Sequence, residues 1–314
     1  MSARSVLESA CVPPGTGFDQ AALTAAVLEW YAQFGRQLSF RRTRDPYAVL
    51  VSETMAQQTQ ISRVGPAWER FMALFPTIQV LAAASTADVL RAWQGLGYNR
   101  RALNLQRTAR AIVTDHRGAM PRSVDVLERL PGIGPYTARA VAAIAFDQPF
   151  GAVDTNVRRV LGRIVVGVPA KTGDRAIQDL ADELAPAHGA GQWTHALMDV
   201  GALFCRPRRP LCEACPAVAW CEYARADSEA AAPRPARPAP RAWPSPIRFE
   251  ETTRWLRGRI LDRLRAAGGS SWDRLDEPIG LHTADAVRAM LPTLAAEGLV
   301  ELDPADPTRA RLPR

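Results

Sequence analysis

The sequence predicts an all-α protein over about its first 225 residues. Three observations carry that expectation. Apolar residues recur at helical spacing in segment after segment. No run of alternating apolar and polar residues is long enough for a sheet. The stretch Leu130-Pro131-Gly132-Ile133-Gly134-Pro135-Tyr136-Thr137-Ala138 ends one apolar run and starts another, which reads as helix, hairpin, helix.

Residues 1–18, with Pro13, Pro14 and Gly17, read as a loose leader. From Asp19, an N-cap residue, the pattern Ala22, Ala25, Val27, Leu28, Trp30, Tyr31, Phe34 predicts a helix that stops at Gly35. The Arg-rich loop Phe40-Arg41-Arg42-Thr43-Arg44-Asp45-Pro46 leads into the apolar run Tyr47-Ala48-Val49-Leu50-Val51. Glu53 follows, ahead of Met55-Ala56-Gln57-Gln58-Thr59-Gln60. A carboxylate placed there is either at the mouth of a cleft or badly buried. Further helices are expected at about 65–75, 86–94, 100–115 and 123–130, then 156–166, 173–185 and 192–204, about ten in all, joined by short loops.

The hairpin carries chemistry as well as a turn. Glycines let a backbone approach a ligand closely. Pro135 suits the first turn of the second helix, whose unpaired amides attract an anion such as phosphate. A GxG turn alone equally suits a plain interhelical connection.

Residues 19–225 therefore form one helical domain, and from 226 to 247 the composition turns to Ala, Pro and Arg, an extended linker. Residues 248–314 read as a small unit. A helix over 253–267 ends at Gly268-Gly269, a short helical stretch lies near 272–276, and a helix over 283–296 ends at Gly298. Leu299-Val300-Glu301-Leu302 and Ala310-Arg311-Leu312 close a hairpin, giving a winged-helix-like module.

The net charge of +7 favours a polyanionic partner without separating DNA from RNA or a membrane surface. No apolar run reaches the roughly 18 residues of a membrane span, and no secretory signal is present, so a soluble, cytoplasmic protein is expected. Nearly all the positive charge is arginine, and Lys171 is the only lysine. Four of five cysteines fall within 17 residues as Cys205-x6-Cys212-x2-Cys215-x5-Cys221, beside Arg206, Arg208 and Arg209. One C-x2-C pair where a zinc site usually shows two favours a 4Fe-4S cluster over zinc.

Together, the cysteine loop 205–221, the hairpin and Val153-Asp154-Thr155-Asn156-Val157 resemble the helix-hairpin-helix DNA glycosylases that include endonuclease III. Ser52-Glu53-Thr54-Met55-Ala56-Gln57-Gln58-Thr59-Gln60 and Gly95-Leu96-Gly97-Tyr98 resemble the MutY branch within them, the adenine glycosylases acting on adenine opposite 8-oxoguanine. The resemblance covers about residues 20–225.

It implies two helical subdomains with a cleft between them, a base flipped out of double-stranded DNA containing A:8-oxoguanine or A:G mispairs, a 4Fe-4S cofactor and a monomer. N-glycosidic cleavage requires a better leaving base and a stabilised oxocarbenium sugar, hence two carboxylates in different protonation states. Glu53 matches the residue that protonates adenine at N7. Asp154 matches the ionised carboxylate beside the sugar, and it is also a good N-cap for the following helix. By the same resemblance Tyr136 and Asn156 border the sugar and the catalytic Asp, and Arg41 and His195 line the adenine pocket. Gln58, Thr59 and Tyr98 wedge into the duplex or touch the partner base, and Gly132 and Gly134 offer amides to phosphate.

This chain departs from the family at Phe40 (usually Trp), Ala56 (usually Leu), Asn99 (usually Tyr) and His195 (usually Gln or Glu). Residues 248–314 are too short and too helical for the Nudix-like domain that reads 8-oxoguanine in many members, which leaves the reader of the opposite base open. Two alternatives stand beside the adenine glycosylase. One is an endonuclease III-like lyase or a G:T mismatch glycosylase, the other a non-catalytic iron-sulfur DNA-binding protein. The lyases carry a Schiff-base lysine where this chain has Tyr136, and a pure binder needs neither carboxylate.

Overall fold

The computed structural model describes residues 19–167, 173–229, 248–268 and 271–314. The leader 1–18, Lys171 and most of the linker lie outside those residues. Where described, the chain is helical apart from three short strands near its end, in keeping with the all-α expectation.

Capping residues start the helices where the sequence puts them. Asp19 accepts from the Ala22 amide at 2.9 Å and opens helix α1 (Gln20–Phe34), which ends at Gly35. Thr77 and Ser85 cap α4 (Ile78–Ala83) and α5 (Thr86–Ala92) in the same way, each such cap contributing about 1 kcal/mol. The run Tyr47–Val51 has no polar face to set a period, and it lies in α2 (Pro46–Ala56), which starts on a proline and buries Val49, Leu50 and Val51. Then come α3 (Ile61–Leu74) and α6 (Arg100–Asp115).

The hairpin joins α7 (Val124–Glu128) to α8 (Pro135–Phe146). Gly132 has φ +77°, and a Cβ on it would stand 2.6 Å from Asn104, so only glycine fits. Around Gly134 there is open space. Next follow α9 (Thr155–Leu161), α10 (Asp174–Leu184), α11 (Ala190–Leu203) and α12 (Glu222–Glu229). The helix expected over 156–166 loses its α geometry at Gly162, where the chain continues as a π-helical turn to Val166.

Near the end lie α13 (Thr253–Ala266), β1 (Asp273–Arg274), α14 (Ala284–Ala296), β2 (Glu301–Leu302) and β3 (Arg309–Arg311). The strands form one antiparallel sheet in the order β1-β3-β2. The hairpin expected from Leu299–Leu302 and Ala310–Leu312 is therefore present, whereas the helical stretch expected near 272–276 is a strand. Pairing with β3 overrides local preference there, and Leu275 is drawn fully inside with its amide on the Thr308 carbonyl.

The chain divides into two compact units. One comprises Met1–Glu53, Pro121–Arg129 and Ile133–Pro235, the other Thr54–Met120, Leu130–Gly132 and Ala236–Arg314. The first is built on Leu23, Val27, Leu161, Ile177, Leu180 and Trp193, all nearly or fully buried. The second packs Phe71 edge-on against Trp93 at 5.9 Å, with Leu81, Leu90 and Ile112 also buried. Each such side chain contributes about 1.5–3 kcal/mol. Helix α13 belongs to this second unit and is tied into it by Arg265, whose guanidinium donates to the Leu90 carbonyl at 2.9 Å and the Asn99 side chain at 2.7 Å.

Candidate active site

The first unit gathers the acidic pair. Glu53 lies toward the C-terminal end of α2 and is only 6% exposed. Tyr136, in the first turn of α8, donates its hydroxyl to Glu53 Oε2 at 2.6 Å. Burial pushes the Glu53 carboxyl above the usual carboxylate range. The Tyr136 hydrogen bond and the Arg41 charge act against burial, and the nearby Asp154 acts with it. The Tyr136 hydroxyl is itself held well above its usual value, by burial first and then by Glu53.

Asp154 is the N-cap of α9. Its Oδ1 accepts from the amides of Asn156 at 2.8 Å and Val157 at 2.7 Å, and its Oδ2 from the Asn156 side-chain amide at 3.1 Å. Three N–H donors and a helix N-terminus are complementary to an anion. Asn156 is held in turn by Arg159, which donates to its Oδ1 at 2.7 Å and to the carbonyls of Gly201 and Cys205.

A second polar cluster, which the sequence reading missed, sits beside this pair. Asp199 is fully buried in α11 and accepts from the Arg36 amide at 2.8 Å, Arg36 Nε at 2.7 Å and Arg41 at 2.9 Å. It fixes the guanidinium whose charge bears on Glu53. The available signal was a lone carboxylate in the apolar run Leu197-Met198-Asp199-Val200. His195, also on α11, is buried and tilted against Tyr31 at 6.5 Å. Burial, and after it the Arg41 and Arg36 charges, hold its imidazole well below the usual histidine range, so it is neutral, with one donor and one acceptor nitrogen.

All four clustered cysteines line one small pocket, with Arg163, Leu211 and Tyr223. Among the described residues no group of three or more Cys, His, Asp or Glu is arranged to hold a single metal ion. Four thiols around a common space are a donor set that a metal centre could take. Burial pushes the Cys215 thiol up to about 12, and the other three cysteines add to the effect, so only a cationic core would keep four thiolates together. Arg163 ties this loop to the π-helical turn, donating to Cys205 Sγ at 3.3 Å and the Arg206 carbonyl at 2.8 Å while lying over the Tyr223 ring. Arg206, Arg208 and Arg209 are exposed on the loop.

Thus Glu53, Asp154, Tyr136, Asn156, Arg41, His195, Gly134 and the cysteines belong to one unit, whereas Gln58, Thr59, Tyr98 and Gly132 belong to the other. In that second unit Gln58 and Tyr98 hold positive φ of 54° and 46°, and both are exposed. Arg101, a further residue the sequence reading missed, clamps their two loops. It donates to the carbonyls of Thr54 and Met55 at 2.9 and 3.0 Å, to that of Gln57, to Thr59 Oγ1 at 3.1 Å, and to the carbonyls of Leu96 and Gly97 at 3.1 Å.

Comparison with known proteins accords with this geometry. Residues 51–186 match the HhH-GPD superfamily of base excision DNA repair proteins. The adenine DNA glycosylase of Mycobacterium tuberculosis is 42% identical over 245 residues, covering 77% of this chain and 78% of that protein. The adenine DNA glycosylase of Mycolicibacterium smegmatis is 39% identical over 279 residues, covering 88% and 91%. Among solved structures, a thermostable thymine-DNA glycosylase superposes with a TM-score of 0.62 at 28% identity, covering 66% of this chain and 97% of its own. An endonuclease III–DNA complex, with a TM-score of 0.56 at 20% identity over 73% and 99%, shares the fold. The chain belongs to the helix-hairpin-helix base excision DNA repair superfamily, within its family of adenine DNA glycosylases.

Proposed function

We propose that this glycosylase removes adenine mispaired with 8-oxoguanine or guanine in duplex DNA, by hydrolysis alone and without lyase activity. The hydrogen bond from Tyr136 to Glu53 carries the reading. It occupies one carboxyl oxygen and leaves Oε1 as the site of a proton that burial retains. That proton passes to adenine N7, the C1′–N9 bond breaks, and the base leaves as a neutral species. Asp154, held by its three N–H donors, faces the developing oxocarbenium as its counter-charge, and water then adds to C1′ with loss of a proton. Tyr136 occupies the position at which a lyase would need an amine, and a phenol forms no Schiff base. Asn156 orients Asp154, and the neutral His195 supplies one donor and one acceptor beside Arg41 for the edge of the base. Gln58, Thr59 and Tyr98 meet the other strand, and Gly132 and Gly134 meet phosphate.

Cys205, Cys212, Cys215 and Cys221 would hold a 4Fe-4S cluster, which pins the loop bearing Arg206, Arg208 and Arg209 so that these arginines reach the DNA backbone. Residues 248–314 are taken as a winged-helix-like segment that follows the glycosylase domain in the chain and packs within the second unit. The deciding experiment is a strand-scission assay on duplexes carrying adenine opposite 8-oxoguanine, guanine or cytosine. Adenine should be lost from the first two, with strand breaks only after alkali. Scission without alkali, trapped by borohydride on Lys171, would overturn the monofunctional reading.

A further inference from the structure

Arg163 is a buried charge at the cysteine loop for which the described residues offer no counter-charge. It is 7% exposed, and its acceptors are Cys205 Sγ at 3.3 Å and the carbonyls of Arg206 and Pro207 at 2.8 and 3.4 Å. Its Nε is buried with no partner, and the guanidinium lies 4.6 Å from the centre of the Tyr223 ring. Among the described residues no carboxylate pairs with it; Glu222, beside Tyr223 in α12, is paired with Arg225 at 2.7 Å. Arg41 shows the contrast within the same unit, since its side chain is also 7% exposed but faces Asp199 at 2.9 Å.

A guanidinium taken out of water without an anion is costly, and such a charge persists where a partner meets it. The backbone aims Arg163 at the cysteines. It lies on the π-helical turn Gly162–Val166, and its carbonyl is 3.6 Å from Cys221 Sγ. One residue therefore touches the first and the last cysteine of the loop and lines the pocket that all four share. An uncharged occupant would leave the cation unmet. A 4Fe-4S core held by four thiolates carries net negative charge, which is the anion this guanidinium lacks. We propose that Arg163 is the fixed counter-charge of the cluster, a positioning residue that binds no iron but makes the loaded loop the stable state of the chain. This inference rests on the iron-sulfur reading above.

The test compares the full-length natural protein with Arg163→Met, which keeps the length but loses charge and donors, and with Arg163→Lys, which keeps the charge. Each is isolated anaerobically, and loss of iron to a chelator is followed by the fall in absorption at about 400 nm. Arg163→Met should release iron about tenfold faster or more, the scale of losing a contact behind a metal ligand, and Arg163→Lys should stay within about threefold of the natural protein. Thermal melts of the loaded and the iron-free proteins supply a second readout. Arg163→Met should lower the midpoint of the loaded form but not of the iron-free form, in which the guanidinium has no anion to lose. An equal fall in both would make Arg163 a plain tie between the loop and the turn and overturn the proposal, as would unchanged iron release. Should the iron-free proteins not fold, the reduction potentials of the loaded ones decide. Removing the cation should make the cluster harder to reduce in Arg163→Met and leave Arg163→Lys close to the natural value, and no difference between the two variants overturns the charge role. If the natural protein holds no iron as isolated, the cluster reading itself fails and takes this inference with it. If it holds iron and the variants do not separate, only the counter-charge fails.

Discussion

Asp199→Asn should destabilise the protein more than any other single loss of charge around the site. The carboxylate is entirely buried and receives the Arg36 amide, Arg36 Nε and Arg41 within 2.7–2.9 Å. Its partners differ in what they can do without it. The Arg36 side chain is 28% exposed and can turn to water; the Arg41 side chain is 7% exposed and cannot. Removing one partner of a buried ion pair costs about 3–5 kcal/mol, because the other charge is left behind. The asparagine oxygen still serves the Arg36 amide, so the lower end applies, about 3 kcal/mol of a total near 5–15. In a thermal melt that is a fall of roughly 6–12 °C. Arg288→Gln, which breaks an exposed pair with Asp285, should cost less than about 0.5 kcal/mol and serves as the control. A loss below about 1 kcal/mol for Asp199→Asn would show that Arg41 finds water or another acceptor in the folded protein, and would refute the reasoning.

Glu53→Gln and Asp154→Asn should each slow single-turnover excision at least about a hundredfold with DNA binding largely kept, the scale of losing one acid–base group; a Glu53→Gln variant keeping a tenth of the activity would remove it as the acid. Tyr136→Phe should move the alkaline limb of the pH–rate profile to higher pH. The reason is that the Tyr136 hydrogen bond favours the carboxylate, so without it Glu53 stays protonated further up the scale and activity is lost later; a limb that moves down would reverse the assigned role. Purified protein should be brown, with broad absorption near 400 nm, as iron-sulfur clusters give. Cys212→Ser should lose iron and DNA affinity together, and stoichiometric zinc without iron in an anaerobic preparation would reject the cluster.

Much of the helical framework is legible in the sequence because its signals are local. Asp19 and Gly35 bracket α1, glycine is forced at Gly132 by a positive φ and by Asn104, and the periodic runs of α6, α10 and α11 declare themselves. What fails is also physical. Ile78–Ala83 is too short to show a period, and the run Tyr47–Val51 that opens α2 is apolar throughout, so neither announces a helix. Residues 272–276 carry a helical pattern but pair with β3, a partner supplied by distant sequence.

The candidate site divides in the same way. Glu53, Asp154 and the cysteines are visible because each is a reactive residue type in an improbable place or spacing. Asp199, Arg101 and Arg159 are invisible because each works through partners far along the chain, and a surface arginine and a buried one look alike in sequence. Yet these hidden residues fix where the visible ones stand. Asp154 shows the relation most plainly. As an N-cap it is ordinary, but the same two amides that make it a cap also hold its Oδ1 at a helix N-terminus, while the Asn156 side chain holds Oδ2 and, with Arg159, ties that helix start to Gly201 and Cys205. A carboxylate on a loose loop would relax toward any cation and lose the geometry that lets it meet a transient one. In the proposed reaction the capping bonds would do the orienting before substrate arrives, so that one set of hydrogen bonds would both start a helix and prepare a counter-charge.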